Sequence, residues 1–308
     1  MKKLFVLTLI SLGLASPAWS AASAIAPDYT ESYDTPYNNL TVQKIGSVVE
    51  LRARSRAAEY LESAVDLSDP LRLVVPYTRS LFGAVFLEPK PKAVLMIGLG
   101  GAGFHRVFSH GFPGALLQTV ELDPKVFELC QSRLNFLPTD KTPVATMDGR
   151  LYVKRSKQMW DWLILDAFRA GFVPPHLKTQ EFYRECAAHM SDRGVFVTNL
   201  HATTELYASD LKTIQSVFPQ VILFQTPGRG NVIACAVKYT TPSISDPAKW
   251  AAVAELNPML ASRVNFKELA DEKTDVPVNT GRIARVLTDD FSPVEFLDAM
   301  KVNNTKAH

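Results

Sequence analysis

Short apolar runs and amphipathic stretches alternate through the middle of the chain. Ala93 to Ile97 carries no charge and no turn former, the pattern of a parallel strand buried on both faces. Comparable runs follow at Ala115 to Leu122, Val144 to Met147, Trp160 to Ala167 and Gly194 to Leu200. Between them apolar residues recur at helical spacing: Phe104 to Ser109, then Val126, Phe127, Cys130 and Leu134, then Phe182, Cys186 and Met190, then Leu211, Ile214 and Phe218. Asp123 and Pro124 read as an N-cap and a first helical residue. The last two runs, Val221 to Phe224 and Asn231 to Val237, are joined by a loop with Pro227, Gly228, Arg229 and Gly230. That loop is too short for a helical crossover, so these strands pair antiparallel. The pattern predicts an α/β fold, a doubly wound, mostly parallel seven-stranded sheet with a terminal antiparallel hairpin.

Ahead of the sheet, Leu40 to Ile45 and Ser47 to Arg52 alternate as two strands joined at Gly46, a small N-terminal β region. Arg56 to Val65 fits a strand or a helix. Pro76 to Phe82 starts a helix that leads, through Glu88-Pro89-Lys90-Pro91, into the central strand. At the start, Met1-Lys2-Lys3 is basic, Leu4 to Ala15 apolar, and Ala18-Trp19-Ser20 a small-x-small cleavage site, which reads as a secretory signal peptide and predicts a periplasmic or secreted protein. Beyond the sheet, Thr240 to Asp246 is a linker by composition, and Trp250 to Leu260 and Ile283 to Leu287 suggest helices. The expected organisation is therefore a signal peptide (1–20), a β region with its helix (27–87), an α/β domain (88–239), and a linker with a helical tail (240–308).

Composition narrows the partners. With 308 residues and 47% apolar content the chain can bury a sizeable core. Cleavage after Ser20 removes Lys2 and Lys3 and takes the formal net charge from +2 to 0, which argues against nucleic acid or an anionic membrane as a partner. After cleavage no segment is long and apolar enough to span a bilayer. Cys130, Cys186 and Cys235 lie far apart on apolar stretches and read as buried thiols, and the six histidines show no ligand spacing, so no metal is expected.

The central strand ends in glycines. Gly98, Gly100 and Gly103 give the G-x-G-x-x-G spacing that lets a ligand approach a helix N-terminus, although the same spacing also serves simply to pack a helix on a strand. Glu121 stands about 20 positions on, where an acidic side chain accepts hydrogen bonds from ribose hydroxyls. Glu121, Asp148 and Asp166 each close a predicted strand. Singly each could be a helix cap; together with the glycine turn they mark a nucleoside pocket. A nicotinamide cofactor would also suit Glu121. The Asp148-Gly149 pair, placed where an adenine edge would be read, and the terminal hairpin favour a methyltransferase-like sheet instead. No G-x-x-x-x-G-K-[ST] is present for phosphate transfer.

IGLGGAG, VELDP, MDGR and LILDAF, in this order, resemble the spermidine synthase (polyamine aminopropyltransferase) family of the class I methyltransferase superfold. Together with LTDDFSPVE, the DGR and LDAF elements resemble its divergent bacterial branch. The resemblance implies decarboxylated S-adenosylmethionine, or S-adenosylmethionine, as donor. Gly98, Gly100, Gly103 and Gly149 would approach it, Glu121 would hold its ribose and Asp148 would read its adenine. It further implies Asp166 as a general base facing an amine acceptor and Tyr77, in the position of the family's gate-helix tyrosine, as the residue that orients that acceptor. Two positions depart from the family pattern. The loop G-G-G-D-G, whose aspartate binds the aminopropyl ammonium, has Gly101 here, and the second aspartate of D-x-x-D is Arg169. A guanidinium 4 Å from a bound ammonium costs roughly 4 kcal/mol at an effective dielectric near 20, so an altered acceptor is expected, and Arg169 is either a surface cation only or the selector of an acceptor bearing a carboxylate. Asp289 and Asp290, in the polar tail loop, fit a solvated turn or a segment that closes over the pocket. Three readings stand: aminopropyl transfer with an altered acceptor, methyl transfer on the same sheet, and a secreted non-catalytic nucleoside-binding or scaffold protein, with a homodimer allowed.

Overall fold

The computed structural model describes residues 26–54, 59–169, 171–226, 230–240, 246–276 and 284–293. The signal-peptide segment, the linker residues 241–245, loop residues 227–229 and the tail positions Ile283, Val294 and Glu295 lie outside the described residues.

The N-terminal region is a four-stranded antiparallel meander: β1 (Tyr29–Asp34), β2 (Asn39–Ile45), β3 (Val48–Arg54) and β4 (Glu59–Asp66). β2 and β3 are the expected pair about Gly46. From Glu59 on, β4 makes the ambiguous stretch a strand, while residues 56–58 lie outside the described residues. β1 escaped the pattern because its half-buried positions are Tyr29, Glu31 and Tyr33, so exposure alternates where hydrophobicity does not. The segment after Pro76 is shorter than the expected helix: α1 (Tyr77–Ser80) tightens at once into a 3-10 turn over Leu81–Phe86.

The large sheet is built from β5 (Ala93–Ile97), β6 (Leu116–Glu121), β7 (Val144–Thr146), β8 (Trp160–Leu165), β9 (Met190–His201), β10 (Gln220–Gln225), β11 (Asn231–Val237) and β12 (Lys273–Thr274). The helices between are α2 (Gly103–Gly111), α3 (Pro124–Ser132), α4 (Gly149–Arg155), α5 (Gln180–Ala188) and α6 (Tyr207–Gln215), followed by α7 (Pro247–Leu256), α8 (Pro258–Ala261) and α9 (Phe266–Asp271). Strand order is β12-β10-β11-β9-β8-β5-β6-β7. Neighbours from β7 to β9 are parallel, and β11 is antiparallel to both β9 and β10. This is the expected seven-stranded, methyltransferase-like sheet with one addition. Lys273–Thr274 pairs with Phe224 and Leu223, and two residues are too few to show any alternation.

Period-two geometry explains why these strands read as continuous apolar runs. Val94 and Met96 enter one core cluster and Ala93, Leu95 and Ile97 the other; β11 divides the same way, Ile233, Cys235 and Val237 against Val232, Ala234 and Ala236. The first face is covered by α2, the 3-10 turn and the tail helices, the second by α4, α5 and α6. All three cysteines are free and buried. A third cluster joins Leu40, Val42, Val49 and Leu51 to Leu129 and Cys130 of α3 and to Leu99 and Ala102 of the glycine loop. At about 1.5–3 kcal/mol per fully buried aliphatic side chain, that contact fixes the N-terminal sheet over the loop. Asp123 adds to it, capping α3 through Lys125 N while its other oxygen accepts from Thr35 Oγ1 (2.7 Å) and Asn38 Nδ2 (3.1 Å).

The helix expected at Ile283 to Leu287 is not formed over 284–287. The backbone there is satisfied by its neighbours. Arg285 N donates to Ser209 Oγ (3.1 Å), Leu287 N donates to Thr213 Oγ1 (2.9 Å), and Leu287 O accepts from Gln180 N (2.8 Å), one of the orphan donors of the α5 N-terminus.

Candidate active site

β5 lies between β6 and β8, so the chain reverses direction across the sheet there, and a pocket opens at the carboxyl ends of these strands. Gly98, Gly100, Gly103, Glu121, Asp148, Gly149, Tyr77, Asp166 and Arg169 all line it; Asp289 and Asp290 do not.

One side is made largely by backbone. Gly98 has φ +103°, and a Cβ there would fall 2.2 Å from the Asp166 carbonyl oxygen, so only glycine lets the ends of β5 and β8 meet. Gly98 N donates to Val120 O at 2.9 Å, tying in the end of β6. Glu121 accepts from Leu99 N through Oε2 and from Asp123 N through Oε1, each at 2.9 Å. Burial raises its pKa, and these amides oppose that rise by holding the charged form. Asp148 caps α4, accepting from Leu151 N at 2.8 Å, and its Oδ2 lies 2.7 Å from His176 Nε2. The His176 bond holds its carboxyl below the ordinary range.

The other side is made by side chains from distant segments. Tyr77 Oη donates to Asp166 Oδ2 at 3.2 Å, and Asn199 Nδ2 donates to Asp166 Oδ1 at 3.0 Å. Asn199 is held in turn by Asn231 Nδ2 at 3.2 Å. Burial raises the Asp166 pKa while the two donors lower it. Tyr77 is pushed well above its ordinary value by burial, then by the charges of Asp166 and Glu62. The result is a carboxylate oriented at both oxygens, with its pKa raised by burial, an arrangement that suits a general base. Arg169 sits at the exposed rim, its Nε donating to Tyr37 O at 2.7 Å.

Asp289 instead binds Arg150 with both oxygens, at 2.7 and 2.8 Å, and accepts from Thr179 Oγ1 at 2.8 Å. Arg150 is simultaneously bidentate on Glu185. The tail is thus strapped behind α4. Asp290 is exposed in the following turn.

Pocket residues not anticipated are Tyr37, Asn38, Glu62, Ser63 and His176, together with Asn199 behind Asp166. Asn199 had a signal, a polar residue interrupting the apolar run of β9. Among the described residues no group of three or more His, Cys, Asp or Glu could hold a metal ion, and no helix is long and apolar enough to cross a membrane.

Fold and site together define an α/β protein with a methyltransferase-type sheet and a hydrogen-bonded carboxylate, Asp166, in the pocket at its switch point. A family model described as the spermine/spermidine synthase domain matches residues 76–233. The polyamine aminopropyltransferase of Vibrio vulnificus is 32% identical over 233 residues, covering 73% of this chain and 76% of that protein. The chain belongs to the spermine/spermidine synthase family. Among solved structures, a probable spermidine synthase from Corynebacterium glutamicum aligns with TM-score 0.64 at 17% identity, covering 83% of this chain and 99% of that one. A spermidine synthase in complex with the transition state analogue AdoDATO aligns with TM-score 0.58 at 21% identity, covering 80% and 89%. Both likenesses are of fold.

Proposed function

We propose that this chain transfers an aminopropyl group from a decarboxylated S-adenosylmethionine-type donor to an amine acceptor. The observation that carries the reading is the Tyr77–Asp166 pair, oriented by Asn199 and lining the same pocket as the amide-held Glu121. Family membership supports the reaction class, and the AdoDATO complex of a fold neighbour supports the donor class.

Glu121 would accept from the ribose hydroxyls, and the left-handed turn at Gly98 and Gly100 would admit the nucleoside close to the backbone. Asp148, with Oδ2 toward His176, would still offer lone pairs to an adenine amino group. Asp166 would hold the acceptor amine neutral and in line, then take its proton as nitrogen bonds to the carbon beside the sulfonium. That C–S bond breaks and the thioether leaves with the electron pair. The protein's work is positioning and one proton transfer. Arg169 at the rim disfavours a second ammonium on the acceptor and suits an anionic group there.

Calorimetry with methylthioadenosine, S-adenosylhomocysteine and putrescine, followed by mass spectrometry of amine acceptors incubated with the donor, tests this. The expected outcome is binding of methylthioadenosine and an acceptor product heavier by one aminopropyl group. Tighter binding of carboxyl-bearing S-adenosylhomocysteine with methyl transfer would favour a methyltransferase, and no nucleoside binding at all would favour a non-catalytic scaffold. Putrescine turned over as well as any amino acid would refute the role given to Arg169. Residues 1–20 are proposed to export the chain, and a cytoplasmic protein still beginning at Met1 would overturn that.

A further inference from the structure

The pocket contains a carboxylate that no strand-end position accounts for. β3 and β4 pair in register from Val48 with Asp66 to Leu51 with Ser63, and the ladder then resumes at Arg52 with Leu61. Glu62 is therefore the extra residue of a β-bulge, a feature that re-aims side chains beside functional sites. In a regular strand neighbouring residues point to opposite faces. Here Glu62 and Ser63 both line the pocket.

Ser63 occupies the space beside the glycine loop. A Cβ added at Gly101 would come within 2.7 Å of Ser63 Oγ and 3.1 Å of Ser63 Cβ, and one at Gly100 within 3.4 Å of Ser63 Cβ. A carboxylate-bearing side chain at Gly101 would thus have to displace Ser63, so the loop cannot supply a negative charge as the chain stands. Glu62, one residue away on the same bulge, can. Glu62 lines the same pocket as Tyr77, Asp166, Gly98 and Gly100, and its charge helps to raise the Tyr77 pKa.

We propose that Glu62 binds the ammonium of the donor's three-carbon chain, so that the cation-recognising carboxylate comes from the bulge in β4 and not from the glycine loop. The inference rests on the aminopropyl-transfer reading. It assigns the donor ammonium to Glu62 because Ser63 and Gly101 place the bulge on the donor side, whereas Arg169 stands on the acceptor side.

The test is a ligand comparison. Decarboxylated S-adenosylhomocysteine carries the nucleoside, the sulfur and the ammonium; methylthioadenosine carries the nucleoside and sulfur without the ammonium. Wild-type protein should bind the amine-bearing ligand at least tenfold more tightly. Glu62→Gln should weaken that ligand about 10- to 100-fold, the range of a charged hydrogen bond, and leave methylthioadenosine within twofold. Equal affinities in the wild type, or an equal change for both ligands in Glu62→Gln, would overturn the proposal. The wild-type comparison keeps it falsifiable if the variant does not fold. A wild-type protein that binds neither ligand would instead sink the functional reading on which it rests, a distinguishable result.

Discussion

The two sides of the pocket are built from different materials. The side proposed to hold the donor is fixed by main chain: Gly98 lets two strand ends touch, and Glu121 is oriented by the amides of Leu99 and Asp123. The side proposed for acid–base work is an assembly of side chains from α1, β9, β11 and the residue after β8, in which Asn231 holds Asn199, Asn199 holds Asp166, and Tyr77 reaches across from α1. Main-chain contacts of that kind tolerate change in what they carry but not in the glycines that shape them. A side-chain assembly can be retuned one residue at a time, and Arg169, the position proposed to face the acceptor, stands on the exposed rim of the pocket.

Substituting one residue on each side separates them. Asp166→Asn removes the base and should lower kcat about 1,000-fold while leaving the donor Kd within twofold. The same change should raise Tm at neutral pH. The folded-state pKa of Asp166 lies above its ordinary value, so ionisation costs stability as pH rises from the ordinary value through the raised one, and the amide removes that cost. Next in size, Glu121→Gln should weaken methylthioadenosine binding about 10- to 100-fold, by losing a charged acceptor, with a much smaller change in kcat at saturation. If calorimetry and kinetics show both variants moving the same constant, the division of the pocket is wrong.

What could be read from sequence divides along the same line. Gly98, Glu121 and the Asp123 cap follow from local spacing, and Asp166 from its place at the end of an apolar run. Glu62 could not be read so. Its orientation comes from a one-residue slip between β3 and β4, and no alternation of residue types records a slip. His176 meets Asp148 only because a 3-10 turn, Pro175–Leu177, folds back over α4. The tail misled for a related reason: Leu287 is apolar at helical spacing, yet its burial comes with backbone bonds to α5 and α6. Where the determining contact joins residues distant in sequence, periodicity carries no trace of it.

The acid–base side can also be probed without touching the base. Asn199 lowers the Asp166 pKa by donating to it, so Asn199→Ala should move the acidic limb of the pH–kcat profile to higher pH. Activity at pH values well above that limb should fall less than tenfold, since about 1 kcal/mol of orientation is lost. An unchanged limb would mean that Asn199 holds β9 to β11 and does not tune the base.

The smallest effect is expected behind the pocket. Arg150, with help from Thr179, holds the Asp289 carboxyl down at about 2. A depressed folded-state pKa contributes stability that is complete above the ordinary carboxyl range and is lost as pH falls through it toward about 2. Asp289→Asn should therefore lower stability at pH 7 by about 1 kcal/mol, a modest figure because Asp289 is 44% exposed and solvent screens the pair. The difference between variant and wild type should shrink in urea melts taken at progressively lower pH. Because Asp289 lies outside the pocket, nucleoside affinity should stay within twofold. A tenfold loss of affinity in a variant that remains folded would put the tail strap into the binding machinery, and the pocket would then have a third side that neither the glycine loop nor the acid–base assembly explains.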